Sequence, residues 1–333
     1  MVATGQRVVC VSLVRSYRKR YPALSKGLTM RKPGFFIVGA PRCGTTAMYE
    51  YLRLHPQVFM PEHKEPNFFG DDLNHRHGRL TEADYLRLFR DAAPGQRVGE
   101  ASTWYLYSRT AAREIRQFTA KARIIVMLRN PVDVMHSLHR EMVFYRAEDI
   151  VDFGSALEAG PDRKRGRRIP RGVRRIETLL YREVVQFADQ LERYLATFPS
   201  DQVKVLLFDD LRSDASSVYA ETLQFLDVDL SFTPRLEPAN ESKHPRFGPL
   251  QDLVVHPPPP FRDLIPHLRR YPIAHRVRSA ILAVNSRKAK RAPMDPELRR
   301  QLTAELAPEV HRLGELIGRD LRHWTATATS SVA

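Results

Sequence analysis

Apolar runs punctuate the chain at Phe35-Phe36-Ile37-Val38, at 123–128 after its leading Arg123, and at 203–208, where Lys204 alone interrupts it. Runs that are apolar at successive positions, rather than alternating, predict strands buried on both faces. Helical spacing of apolar residues follows at 46–54, 82–90, 131–145, 176–198, 215–226 and 297–317. Strand and helix patterns in alternation predict an α/β fold, a central parallel sheet flanked by helices in three layers. The stretch 154–175 is rich in Gly, Pro and Arg and lacks periodicity, which predicts a long basic loop, and proline is dense from 231 to 260. Residues 1–32 are expected to form a loosely ordered basic leader, 33–324 a single domain, and the Thr/Ala/Ser-rich 325–333 a disordered tail.

Charge narrows the partners. Lys and Arg exceed Asp and Glu by 15 over 333 residues, an imbalance that favours anionic ligands. Arginines concentrate at 163–175 and a second basic run lies at 287–291. No apolar run is long enough to span a bilayer. The apolar run at 8–14 precedes its basic residues, the reverse of a secretory signal. With only Cys10 and Cys43 present, no disulfide framework is expected, and the reading is a cytoplasmic, reducing location. His75-Arg76-His77 and His136-x-x-His139 lack the carboxylate or thiol that would complete a metal set, so no metal is expected.

The chemistry starts after the first strand, at Gly39-Ala40-Pro41-Arg42-Cys43-Gly44-Thr45-Thr46. Strand, glycine-bounded loop and helix is the context in which backbone amides and a helix N-terminus cradle phosphate. Thr45 stands where nucleoside triphosphatases carry the Lys that reaches the β- and γ-phosphates, which argues against ATP or GTP hydrolysis. A cation is present instead within the loop, at Arg42, and Cys43 beside it, at a helix N-terminus, is expected to have a lowered pKa. A second element, Arg129-Asn130-Pro131 followed by Ser137, places a guanidinium at a strand end and a hydroxyl two turns into a helix, groups suited to a phosphate monoester.

P-R-C-G-T-T resembles the 5′-phosphosulfate loop of the PAPS-dependent sulfotransferases, and R-x-P with its Ser resembles their 3′-phosphate element. The resemblance implies a P-loop-type fold and PAPS as donor, with PAP as product. It gives Arg42, Cys43, Gly44, Thr45, Thr46, Arg129 and Ser137 to the donor. Arg287-Lys288-Ala289-Lys290-Arg291 is similar to a basic loop of the glycan-type branch and adds Lys288 and Lys290 to that set, with Ala289 replacing the family's Gly. Lys64-Glu65-Pro66-Asn67-Phe68-Phe69 is similar to a motif of the heparan-sulfate branch whose Glu is the general base. That implies catalytic roles for Glu65 and Arg42, with Lys64 holding donor or acceptor. Gly99-Glu100-Ala101-Ser102-Thr103-Trp104-Tyr105 resembles an acceptor-side segment, which puts Glu100 and Ser102 near the acceptor. Ala101 replaces a usual Lys there, and Glu100 reads as a second base or, preferably, a structural acceptor of loop amides. The expected activity is sulfuryl transfer to a hydroxyl or amine, on a carbohydrate-like acceptor such as a glycan or glycolipid. The alternatives are a lipid or secondary-metabolite hydroxyl, and a catalytically silent polyanion binder using the 163–175 arginines. No nucleic-acid partner is expected; peripheral membrane contact through the basic segments stays open.

Overall fold

The computed structural model describes residues 31–73, 80–170, 173, 175–234, 243–245, 286–288 and 293–326. Five strands form one parallel sheet: β1 (Phe35–Gly39), β2 (Val58–Phe59), β3 (Arg97–Ala101), β4 (Arg123–Leu128) and β5 (Val203–Leu207), in the order β2-β3-β1-β4-β5. All five residues of β1 are buried, as are five of six in β4, which accounts for their unbroken apolar runs. The chain passes from β1 to one side of the sheet and later returns to the other. The C-terminal end of β1 is therefore a topological switch point, where open α/β sheets bind ligands.

Helices cover the sheet. Helix α1 (Thr45–Leu54) follows β1, α2 (Glu82–Leu86) and α3 (Ala111–Phe118) bracket β3, and α4 (Pro131–Phe144) follows β4. Asn130 caps α4, its Oδ1 accepting from the amides of Val132 at 3.0 Å and Asp133 at 3.4 Å, with Pro131 at the first turn. After β5 come α9 (Phe208–Ser213) and α10 (Ala215–Leu226). The last helix, α11 (Pro296–Ile317), packs along α4 and α8 (Phe187–Leu195). A separate antiparallel pair joins β6 (Lys243–Pro245) to β7 (Ser286–Lys288).

Three expectations are corrected. The basic loop at 154–175 contains two short helices, α5 (Phe153–Glu158) and α6 (Gly160–Lys164). Asp152 caps the first, accepting from the Ser155 amide at 2.8 Å, and Arg163, the first arginine of the basic run, is fully buried. Its guanidinium meets both oxygens of Glu148 at 2.7 and 2.8 Å, and Tyr181 donates to the same carboxylate at 2.8 Å. The long helix expected at 176–198 is broken into a 3₁₀ turn (Ile176–Leu179), α7 (Tyr181–Val184) and α8. Leu179, Leu180, Tyr181, Val184 and Val185 are buried, and the Gln190 amide satisfies the carbonyls of Glu183 and Val184 that the break frees, at 3.1 Å each. At 82–90 the helix tightens to 3₁₀ after Leu86.

Candidate active site

At the end of β1 the chain turns through Arg42 (φ 66°) and Gly44 (φ 88°) into α1. Gly44 is required there: its φ is left-handed, and a Cβ would press on Phe208 and Leu211 at 3.0 Å. Arg42 adopts the same region despite its Cβ, and Glu65 (φ 64°) and Asn67 (φ 48°) do likewise. Such conformations cost on the order of 1 kcal/mol or more each and concentrate at functional sites.

The loop and the element after β4 meet through side chains. Arg42 Nε donates to Ser137 Oγ at 2.9 Å, across 95 positions of sequence. Arg42 Nη1 donates to Glu141 Oε1 at 2.9 Å, one turn further along α4. Arg129, buried at the end of β4, lies over the Phe208 ring at 4.8 Å and pairs with Asp133 at 3.3 Å. Asp133 is held in turn by Arg299 of α11 at 2.6 Å. These two cations keep the Asp133 carboxyl below its ordinary range against the effect of burial, which is the largest influence and pushes it up. The C-terminal Trp324 braces this side: its indole donates to Asp209 at 2.6 Å, and its carbonyl accepts from Asn130 Nδ2 at 3.0 Å.

Glu65 sits on the loop after β2. Its amide donates to the Ala101 carbonyl at 2.9 Å, which fixes the loop across the end of β3. Glu65 Oε1 accepts from Thr103 Oγ1 at 3.0 Å and from Lys64 Nζ at 2.9 Å. The carboxylate stays 36% exposed, open to an incoming proton donor. Glu65 and Lys64 lie near enough to Glu141 for both charges to act on it. The loop after β1, the loop after β2 and the face of α4 therefore converge at one place.

Glu100 and Ser102 are placed differently. Both are fully buried. Glu100 Oε1 accepts from Tyr85 and Tyr105 hydroxyls at 2.9 Å each, and Oε2 accepts from Ser102 at 2.8 Å. Burial pushes the Glu100 carboxyl up to about 7, against the pull of its three hydroxyl donors. Ser102 passes the network outward, accepting the Asn67 amide at 3.1 Å. Neither side chain faces solvent; they support the Glu65 loop from below, a structural part for Glu100 played through hydroxyls rather than loop amides.

Cys43 is also corrected. It is fully buried, and loss of solvent pushes its thiol up to about 12 although Arg129 and Arg42 pull it down. Desolvation outweighs the helix N-terminus that motivated the opposite expectation. Thr45 is buried at the start of α1 and Thr46 is half-buried beside it. The backbone of Lys288 lies in β7, paired with Lys243, while Lys290, His75 and His77 lie outside the described residues. Among the described residues no group of His, Cys, Asp and Glu is arranged to hold a metal. No helix among them is long and apolar enough to cross a membrane. His139 instead bonds the Ile150 carbonyl at 2.9 Å. In the 163–175 run, Arg165 and Arg167 pair with Asp162 at 3.0 and 2.6 Å, and Arg175 lies over Trp104 at 5.4 Å. A cleft of about 330 Å³ beside Gly34 and Arg97 lies at the other end of the strands, away from every motif.

Thr103, Glu141 and Phe208 were not singled out by sequence. Glu141 carried a signal, since it lies four residues after Ser137 and so shares its helix face. Thr103 lay within the acceptor-side segment without a role of its own and Phe208 carried no signal, because their positions depend on how β3 and β5 register in the sheet.

The chain belongs to the Sulfotransferase domain family, whose pattern it matches over residues 32–252. It is similar to the human bifunctional heparan sulfate N-deacetylase/N-sulfotransferase 3, 28% identical over 207 residues, covering 60% of this chain and 22% of that protein. It is also similar to human carbohydrate sulfotransferase 15, 34% identical over 150 residues, covering 32% of this chain and 26% of that protein. The chain thus spans about a quarter of the length of these relatives. A crystal structure of a sulfotransferase from Alicyclobacillus acidocaldarius superposes with a TM-score of 0.68 at 29% identity, covering 89% of this chain and all of that one.

Proposed function

We propose that the protein transfers the sulfuryl group of PAPS to a hydroxyl or amine of a carbohydrate-like acceptor. The observation that carries this reading is the Arg42–Ser137 hydrogen bond, which joins the phosphosulfate loop and the 3′-phosphate element into one anion site at the switch point of the sheet. Arg42, Cys43, Gly44, Thr45 and Thr46 take the 5′ side, where the loop and the N-terminus of α1 offer backbone amides and positive charge. Arg129 and Ser137 take the 3′ side, Arg129 lying over Phe208 and paired with Asp133. The resemblance of 287–291 adds Lys288 and Lys290 to the proposed donor set.

In the reaction the acceptor oxygen or nitrogen forms a bond to sulfur as the bond from sulfur to the bridging oxygen of the 5′-phosphate breaks, and PAP leaves with that electron pair. Glu65 receives the acceptor's proton, and Thr103 and Lys64 fix the carboxylate that takes it. Arg42 meets the negative charge that grows on the leaving phosphate, the interaction that strengthens most in the transition state. Carbohydrate is preferred because the segment at 64–69 resembles the heparan-sulfate-type motif and because the chain is similar to a bifunctional heparan sulfate N-deacetylase/N-sulfotransferase and a carbohydrate sulfotransferase. Incubation with labelled PAPS and a panel of neutral glycans, sulfated glycans, glycolipids and hydroxylated lipids tests the reading. Label on a glycan is expected; label on a simple lipid alone would move the acceptor class, and no transfer to any acceptor would remove the activity.

A further inference from the structure

Arg42 already holds an anion. Glu141 Oε1 accepts from Arg42 Nη1 at 2.9 Å while Ser137, one turn earlier on α4, takes Nε at 2.9 Å. The pair is half-buried, Arg42 30% and Glu141 28% exposed, so solvent does not screen it as it would a surface pair. The charged groups around Glu141 are Arg42 on the phosphate loop and Lys64 and Glu65 on the neighbouring loop, with Arg140 adjacent on α4 and felt by Arg42. Burial raises the Glu141 carboxyl above its ordinary range and Glu65 adds to this, while Arg42 and Lys64 pull it down.

A donor phosphate arriving at Arg42 brings further negative charge to the place where Glu141 now sits. One guanidinium face then has two claimants. Two anions sharing one partly buried cation repel each other more strongly than in water. Glu141 must therefore turn away or become neutral as the donor binds, and either change is a cost set against donor affinity.

We infer that Glu141 is an internal stand-in for the donor's 5′-phosphate, holding Arg42 in place in the free protein and competing with the donor for it. This rests on the assignment of Arg42 to the donor. The alternative is a brace that aims Arg42 while the donor is bound. The two differ in sign, since a competitor's removal tightens binding and a brace's removal weakens it.

Calorimetric titration of PAP into the full-length wild-type protein and into Glu141→Gln separates them. Gln keeps the size and a hydrogen-bond acceptor but not the charge. The expected result is PAP bound roughly tenfold more tightly by Glu141→Gln, as for the loss of one close like-charge contact. Glu141→Asp, which keeps the charge but draws it back from Arg42, should move affinity the same way by a smaller factor and serves if the Gln variant does not fold. Equal or weaker PAP binding by a folded variant, with the wild type binding normally, would overturn the inference and leave the donor site standing. No PAP binding by the wild type would remove the donor reading and this inference with it.

Discussion

Ser102 donates its hydroxyl to Glu100 Oε2 at 2.8 Å and receives the Asn67 amide at 3.1 Å. It thus ties a buried carboxyl to the loop that presents Glu65. The two glutamates consequently sit differently: Glu65 is open to solvent with its oxygen fixed by Thr103, and Glu100 is sealed under it.

That division predicts different kinetics. Glu65→Gln keeps shape but cannot accept a proton at neutral pH, so turnover should fall by about 10²–10⁴-fold with PAP affinity little changed. Glu100→Gln should cost less in turnover and change stability instead. Steady-state rates with any acceptor found to be sulfated check this. Near-normal turnover in Glu65→Gln beside a collapse in Glu100→Gln would transfer the base to Glu100.

Glu100 also predicts a pH dependence of stability. Its carboxyl is raised in the fold, from the ordinary 4.5 to about 7. The folded state therefore holds a proton that the unfolded state releases. The contribution is fully present below about pH 4.5 and is lost as pH rises through about 7, amounting to on the order of 3 kcal/mol at most. Urea unfolding of the wild type and Glu100→Gln at pH 5 and pH 8 checks it. The wild type should lose stability relative to the variant between the two pH values; parallel curves would refute the buried-acid account.

Much of this was legible in sequence, and the reasons are specific. β1 and β4 announce themselves because both their faces are covered, and β5, half-buried over its first three residues, does so by its mostly apolar composition. β3 does not, because it reads Arg-Val-Gly-Glu-Ala. Its Gly99 is there since the Phe35 ring occupies the space of a Cβ, 2.2 Å away, and its Glu100 is there since two tyrosines and a serine receive it. Both look like loop residues until the neighbouring strand is in place. The phosphate loop and Ser137 were readable because short-range spacing fixes them. Thr103, which positions the Glu65 carboxylate, is fixed only by the crossing of the β2 and β3 ends.

Cys43 was legible in position and not in chemistry, since burial is a tertiary property. Its thiol should react with an alkylating reagent only as the protein unfolds, slowly, and PAP should lower that rate no more than it lowers unfolding itself. Mass mapping of the labelled peptide under native conditions checks it. Fast labelling that PAP prevents would mean an accessible thiolate.

The buried Arg163–Glu148 pair predicts a structural dependence in the 153–181 segment. Glu148→Ala strands a guanidinium that no solvent reaches and should cost roughly 3–5 kcal/mol. Urea melts should show the loss, and limited proteolysis should cut first within this segment. A change under 1 kcal/mol would show that the pair is already hydrated.

The proposed donor site is made from the β1 loop and the β4–α4 element, and calorimetric titration of the wild-type protein with PAP and with AMP tests it most directly. The two ligands differ by one phosphate, the one assigned to Arg129 and Ser137. Two charge-assisted contacts are worth about 3–6 kcal/mol before costs, so PAP should bind at least a hundredfold more tightly than AMP, and Arg129→Ala should erase most of the difference. Equal affinities for PAP and AMP in the wild-type protein would contradict the account.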